Sequence, residues 1–342
     1  MNADSPSRAE WKKLYELMAR IKELAPWDWM KEDDIFGFQL PGKDTPDFIS
    51  VMGTLGEHLS VAVYLGFKGL GGFLKMQELG QRLTPEFVLQ VPQLQASFEN
   101  REEITGEDRK VIKELGLKFR GANAWPQFRS FRPGCFPWYI EKSEAELLTC
   151  ALEQVLEVAP CFKKDPDIFK PTDSDDDYLV RVKQNDQWKD ATRRVELREE
   201  TILHPKMNGD ALRQLKSMKP GNVVIEADFF MMNHPTQNKR GERPFFPFML
   251  ILVEQDSGFI LASEILTPLP TIESMWEEIP RVVVEKLAGG FAPREIQVKN
   301  EALYHLLQTV AKEAGFAVRK APRLRAIELV RREMNSFLGE MA

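Results

Sequence analysis

Residues 222–232 read Asn222-Val223-Val224-Ile225-Glu226-Ala227-Asp228-Phe229-Phe230-Met231-Met232. The run is rich in β-branched and aromatic residues and is entered through Pro220-Gly221, so it reads as a buried strand. Outward from it, a charged loop (His234 to Arg243) leads to Phe246–Val253 and Gly258–Leu266. These two runs read as a hairpin turning at Gln255-Asp256-Ser257-Gly258. Thr271 caps a helix bearing Ile272, Met275, Trp276, Ile279 and Val283, with Pro280 as a kink and Gly289-Gly290 at its end. Arg294–Val298 reads as a strand, Glu301–Ala314 as a helix with the stripe Leu303, Leu306, Leu307 and Val310, and Phe316–Arg319 as a strand. A last helix carries Ile327, Val330, Met334, Phe337 and Leu338. The order β, β, β, α, β, α, β, α predicts a mixed sheet with 222–232 at its centre.

Before this stretch the pattern is α+β. Ser7 and Glu10 read as a capping box for a helix with Trp11, Leu14, Tyr15, Met18 and Ile21 on one face, stopped at Pro26. Asp34–Leu40, Asp47–Met52 and His58–Leu65 read as three short strands, followed by a helix from about Gly71 to Leu79 and an extended Phe87–Phe98. Thr105 with Asp108 opens a helix through Leu115. Ser143 with Glu146 reads as the capping box of a strong amphipathic helix ending at Pro160. Tyr178–Val182 and Trp188–Val195 read as a hairpin around Asn185-Asp186, and Asn208 caps a helix with Leu212, Leu215 and Met218. With 342 residues, two domains are expected, 1–200 and 201–342, the boundary falling in the weakly patterned 195–220.

A formal net charge of −6 speaks against a dedicated nucleic-acid binder but leaves room for a local basic face. Cys135, Cys150 and Cys161 form no C-x-x-C, the first ten residues lack an apolar signal core, and no apolar run approaches membrane-spanning length. A cytoplasmic protein without a membrane segment is expected.

The second half resembles a ribonuclease-H-like fold, close in its Leu252–Ala262 hairpin to retroviral-integrase-like transposases. The resemblance places Asp228 at the first metal carboxylate, Arg294–Glu301 where a fourth strand delivers the second, and Ala326–Val330 on the helix that brings the third as Glu328. The fold class expected is therefore an N-terminal α+β domain followed by a C-terminal ribonuclease-H-like mixed-sheet domain. Two-metal phosphodiester chemistry needs acids holding two ions about 3.5–4 Å apart. The second acid position is Lys299-Asn300, neutral or cationic, with Glu301 one residue beyond. Asp228, Glu328 and Glu301 are thus the candidate catalytic residues, Asp228 and Glu328 the candidate metal ligands, and Asp256 or Glu264 the compensating acids if the hairpin turns them inward. The reading preferred is a non-catalytic binding or interaction protein with no cofactor and a partner the sequence does not name. The alternative is a Mg²⁺- or Mn²⁺-dependent nuclease or phosphodiesterase with an altered acid set.

Trp27-x-Trp29, Val51-Met52-Gly53-x-x-Gly56-Glu57, Val63-Tyr64-Leu65-Gly66 with Gly69-Leu70, Trp125-Pro126, Pro133-Gly134-x-x-Pro137-Trp138, Glu226-Ala227-Asp228 and Arg243-Pro244-x-x-Pro247 span most of the chain. On these residues it resembles an uncharacterised bacterial domain-of-unknown-function family, a likeness that brings no assigned activity.

Other motifs read blandly. Gly66, Gly69, Gly71 and Gly72 match neither G-x-G-x-x-G nor a P-loop, so they read as turn packing before a phosphate cradle. Asp173-x-Asp175-x-Asp177 lacks the glycine and final glutamate of a calcium loop. Trp125, Phe128, Phe131, Phe136, Trp138 and Tyr139, interleaved with Arg120, Arg129 and Arg132, could stack single-stranded bases, but read first as core around an irregular loop.

Overall fold

The computed structural model describes residues 4–169, 172, 174–197, 203–219, 221–290 and 292–340, with side chains to 333. Pro171, Asp173 and Pro220, and the side chains of Met334, Phe337 and Leu338, lie outside the described set. The chain divides into two compact units, Met1–Glu199 and Glu200–Ala342.

In the first unit, α1 (Arg8–Leu24) starts on the Ser7/Glu10 capping box. There follow β1 (Phe36–Gln39), β2 (Asp47–Met52), β3 (Ser60–Tyr64), α2 (Gly66–Leu79), α3 (Pro85–Val88), β4 (Gln93–Glu99) and α4 (Gly106–Glu114). The unit closes with β5 (Trp125–Phe131), α5 (Lys142–Lys164), β6 (Asp177–Gln184) and β7 (Gln187–Arg194). The strands form one sheet in the order β5-β4-β3-β2-β1-β6-β7, antiparallel except where β6 joins β1 in parallel. One face packs on α1 and α5 through Leu14, Met18, Ile49, Val61, Leu148 and Leu152. The other packs on α2 through Phe48, Tyr64, Leu70 and Phe73. This is an α+β unit.

Four expectations are corrected here. Phe87–Val91 is not extended, because Thr84 caps and Pro85 opens the short α3. α2 begins at Gly66, not Gly71. The capping box of α5 is Glu141/Glu144, and the helix runs through Pro160 to Lys164. Trp125–Phe131 is a strand, and Pro126 is tolerated because β5 is a sheet edge. The hairpin turn at Asn185-Asp186 is present, both residues having positive φ, which matches the right-handed strand twist.

The second unit contains α6 (Gly209–Ser217), β8 (Val224–Met231), β9 (Phe248–Glu254), β10 (Ile260–Leu266), α7 (Ile272–Ala288), β11 (Glu295–Val298), α8 (Glu301–Ala314), β12 (Ala317–Lys320) and α9 (Arg325–Glu340). Its mixed sheet runs β10-β9-β8-β11-β12, antiparallel through β8, β9 and β10 and parallel through β8, β11 and β12. The central strand is β8, as the element order predicts. Ile225, Ala227 and Phe229 face the core shared with α6, α7 and α8. The opposite face meets α9, where Ala326, Ile327 and Val330 pack on Met249, Ile251 and Val253.

Candidate functional site

Alternation along β8 sends Glu226, Asp228 and Phe230 to the α9 face. Parallel pairing with β11 sets Gln297 opposite Glu226 and Val298 opposite Ala227. The next step places Lys299 beside Asp228 across the strands. Two acids, a lysine and the first turns of α9 therefore share one patch.

The acids there are already engaged. Glu226 is 2% exposed, and its Oε2 accepts the Ile327 N–H at 3.0 Å. That N–H belongs to the first turn of α9, where helical donors lack intrahelical partners, so Glu226 anchors the helix to the sheet. Asp228 accepts the Phe229 N–H at 2.9 Å through Oδ1 and faces Arg331 Nη1 at 3.5 Å through Oδ2. The Arg331 guanidinium also lies over the Phe230 ring, 4.0 Å from its centroid. Burial pushes the Asp228 carboxyl above the ordinary aspartate value, against the opposing pull of the Phe229 N–H, Arg331 and Lys299. Glu328 pairs with Arg323 at 2.7 Å, and that hydrogen bond holds its carboxyl below the usual range, with Lys299 and Arg332 adding to the effect. Lys299 acts on both carboxylates.

The remaining candidates go elsewhere. Asn300 caps α8, its Oδ1 accepting the Leu303 N–H at 3.1 Å. Glu301 pairs with Lys320 and with His305, and the Lys320 hydrogen bond is the chief cause of its lowered pKa. Asp256 is exposed in the β9–β10 turn. Glu264 pairs in register with Leu250, which lies in the α7/α8 core, so it points to the face opposite Asp228, where it meets Lys286 at 2.6 Å. Neither residue joins Asp228. Among the described residues no group of three or more His, Cys, Asp or Glu side chains is placed to hold a metal ion. The donor set around Asp228 mixes acids with Lys299 and Arg331 and does not fit a pair of divalent ions.

Sequence reasoning missed two partners, Glu226 and Arg331. Both were accessible to periodicity: Glu226 lies two residues from Asp228 on one strand, and Arg331 three residues from Glu328 on one helix.

The features of the first unit resolve structurally. The Gly66 N–H donates to Asp47 Oδ1 at 3.0 Å, so a carboxylate of the chain itself already sits at the start of α2. A Cβ on Gly69 would meet the Tyr64 carbonyl carbon at 2.6 Å, and one on Gly72 would meet Val91 at 2.7 Å. These glycines allow α2 to approach the sheet closely. Arg129 grips Asp108 with two hydrogen bonds of 2.6 and 3.0 Å and lies over Tyr139, while Arg132 pairs with Glu141 and Glu144. Phe128 is core. Arg120 lines an open groove of about 400 Å³ with Phe119, Trp125 and Arg101.

No curated protein matches the chain. Residues 211–335 match a family described as a domain of unknown function, DUF6930. Residues 11–181 match another domain of unknown function, DUF7309, and by this match, which spans half of its length, the chain belongs to the DUF7309 family.

Proposed function

We propose that the chain is a non-catalytic binding or interaction protein whose second unit is a ribonuclease-H-like domain with a disabled acid set. The strand order β10-β9-β8-β11-β12 supports the fold reading, with three antiparallel strands followed by two parallel ones and α9 on the face opposite α7 and α8. The observation that carries the functional reading is the pairing of Asp228 with Arg331, with the charge of Lys299 acting on the same carboxylate. Two divalent ions bring four positive charges into a cleft and need oxygen ligands to balance them. A lysine and an arginine at that place repel them. Glu226, the other acid on that face of β8, would have to release the α9 N-terminus to serve as a ligand.

A second reading, a Mg²⁺- or Mn²⁺-dependent phosphodiesterase, draws on Glu226 and Asp228 sharing one face of β8. It requires both to exchange their present partners for metal. The two units are taken as domains 1–200 and 201–342. Cys150 and Cys161 are thiols outside any disulfide, which supports a reducing, cytoplasmic setting.

Cleavage assays on single- and double-stranded DNA and RNA, with Mg²⁺ or Mn²⁺, test the proposal. No turnover is expected. Turnover that disappears in Asp228→Ala would replace it with the enzyme reading.

A further inference from the structure

The aromatic and arginine-rich stretch of the first unit falls into two parts. Arg129 is neutralised by Asp108, and Arg132 by Glu141 and Glu144. Arg120, Phe119 and Trp125 have no such engagement. With Arg101 they line the open groove between the turn after β4 and the loop before β5. Its volume, about 400 Å³, falls among small-ligand sites, which run from about 300 to 1,000 Å³.

The groove is held open by its own frame. Asn100 Oδ1 accepts the Asn123 N–H at 3.1 Å, and Lys22 Nζ donates to the Asn123 carbonyl at 3.0 Å. The Ala124 N–H donates to the Glu99 carbonyl at 3.2 Å, tying the two loops together at their base. Phe119 stacks on Tyr15 of α1 with ring centroids 5.8 Å apart. It meets Trp125 at 5.8 Å, with 60° between the rings. Both rings are half-buried, so an aromatic corner is in place before any ligand arrives, which lowers the cost of binding. Arg101 and Arg120 are exposed, and among the described residues neither pairs with a carboxylate. The N–H groups of residues 118–122 likewise donate to no protein acceptor among the described residues. Gly121, at φ +104°, faces open space where a side chain would stand. Glu102 is the acid of the lining, so two arginines against one glutamate leave one net positive charge.

We infer that this groove binds a small aromatic anion of the nucleoside 5′-monophosphate class, its base against Phe119 and Trp125 and its phosphate on Arg101 and Arg120. Aromatic side chains stack any base, and a guanidinium fork matches phosphate oxygens with paired donors. The open N–H groups beside Gly121 add neutral donors for the same anion. Glu102 is an acceptor for the ribose hydroxyls. A nucleic-acid strand fits less well. Strand binding draws on many cations, whereas this lining has one in excess and acids outnumber bases by six in the first unit. The site lies in the first unit and gives the binding role a ligand without depending on the charge balance at Asp228.

Calorimetric titration of the full chain with AMP, CMP, GMP and UMP, and with inorganic phosphate, reads the site directly. Saturable one-to-one binding of a nucleotide is expected at about 10 µM to 1 mM, the affinity of a small ligand in an open groove. Inorganic phosphate should bind about tenfold or more weakly, because it leaves the rings unused. Arg101→Ala/Arg120→Ala should weaken nucleotide binding by about tenfold or more with an unchanged circular dichroism spectrum, since both side chains are exposed. Trp125→Leu should also weaken it, and the arginine variant decides if Trp125→Leu fails to fold. No saturable binding of any of these nucleotides up to the low millimolar range overturns the proposal. Binding that the arginine variant leaves unchanged overturns it equally, since the ligand then sits elsewhere. Phosphate bound as tightly as the nucleotides removes the aromatic corner from the site and overturns the assigned class. A single-stranded oligonucleotide bound about tenfold or more tightly than its mononucleotides makes the groove a nucleic-acid surface and overturns the small-ligand reading.

Discussion

Glu226 and Asp228 stand two residues apart on one face of β8 and hold different partners. Glu226 is buried against the backbone of α9, where a lost acceptor leaves an N–H without a partner. Glu226→Ala should destabilise the protein by about 1–3 kcal/mol, and Glu226→Gln, which keeps an oxygen acceptor, by less. Urea denaturation of the two variants checks the ranking, and equal losses would show that the hydrogen bond contributes nothing. Asp228 makes a pH-dependent statement. Burial raises its pKa in the folded protein above the ordinary aspartate value of about 3.9, so the folded state binds that proton more tightly than the unfolded chain does. Ionised Asp228 therefore costs stability above its folded pKa, and the cost fades as pH falls through that pKa toward the unfolded value. Relative to Asp228→Asn, the wild type should gain stability on acidification from neutral pH. A wild-type-minus-variant difference that stays flat or falls with acid would contradict this.

Among the elements, those with a strong period were legible and those set by local chemistry were not. The stripe Leu303, Leu306, Leu307 and Val310 forecast α8, and all four side chains are buried. Leu307 is fully buried, so Leu307→Ala should cost about 2–5 kcal/mol, read as a lower thermal or urea midpoint. The central placement of β8 was legible for the same reason, since a near-continuous apolar run suits a strand covered on both faces. β5 was missed because Pro126 and the arginines mask its alternation, which becomes visible only when Pro126, Phe128 and Ser130 are seen to be buried in turn. The start of α5 was misplaced because Ser143/Glu146 and Glu141/Glu144 both satisfy cap spacing. The second pair wins because Glu144 also accepts from Ser130 at 2.7 Å and Arg132 at 2.8 Å, contacts made between α5 and the end of β5. At the candidate site, sequence read Asp228 on the central strand and a neutral Asn300 at the second acid position. It could not show that Arg331 would reach Asp228, because that depends on how α9 lies on the sheet.

At the scale of the whole chain, acidic residues outnumber basic ones by six in the first unit and balance them in the second. The net charge of −6 therefore belongs to the first unit, and in the neutral second unit Arg323, Arg325, Arg331 and Arg332 lie on or beside α9 with Glu328, Glu333 and Glu340. Each unit closes its own core on both faces of its own sheet. Fragments 1–199 and 200–342, expressed separately, should each unfold cooperatively, and a fragment lacking a cooperative transition would refute independent folding.

The charge balance at Asp228 is the centre of the functional account, and calorimetric titration of the full chain with Mn²⁺ tests it most directly. With Lys299 and Arg331 beside the carboxylate, the wild type should show no saturable binding below the millimolar range. Lys299→Asp should increase Mn²⁺ affinity, because it exchanges a repelling charge for a further acid on the same face. Saturable submillimolar binding by the wild type that vanishes in Asp228→Ala would contradict the account and restore a metal-dependent enzyme.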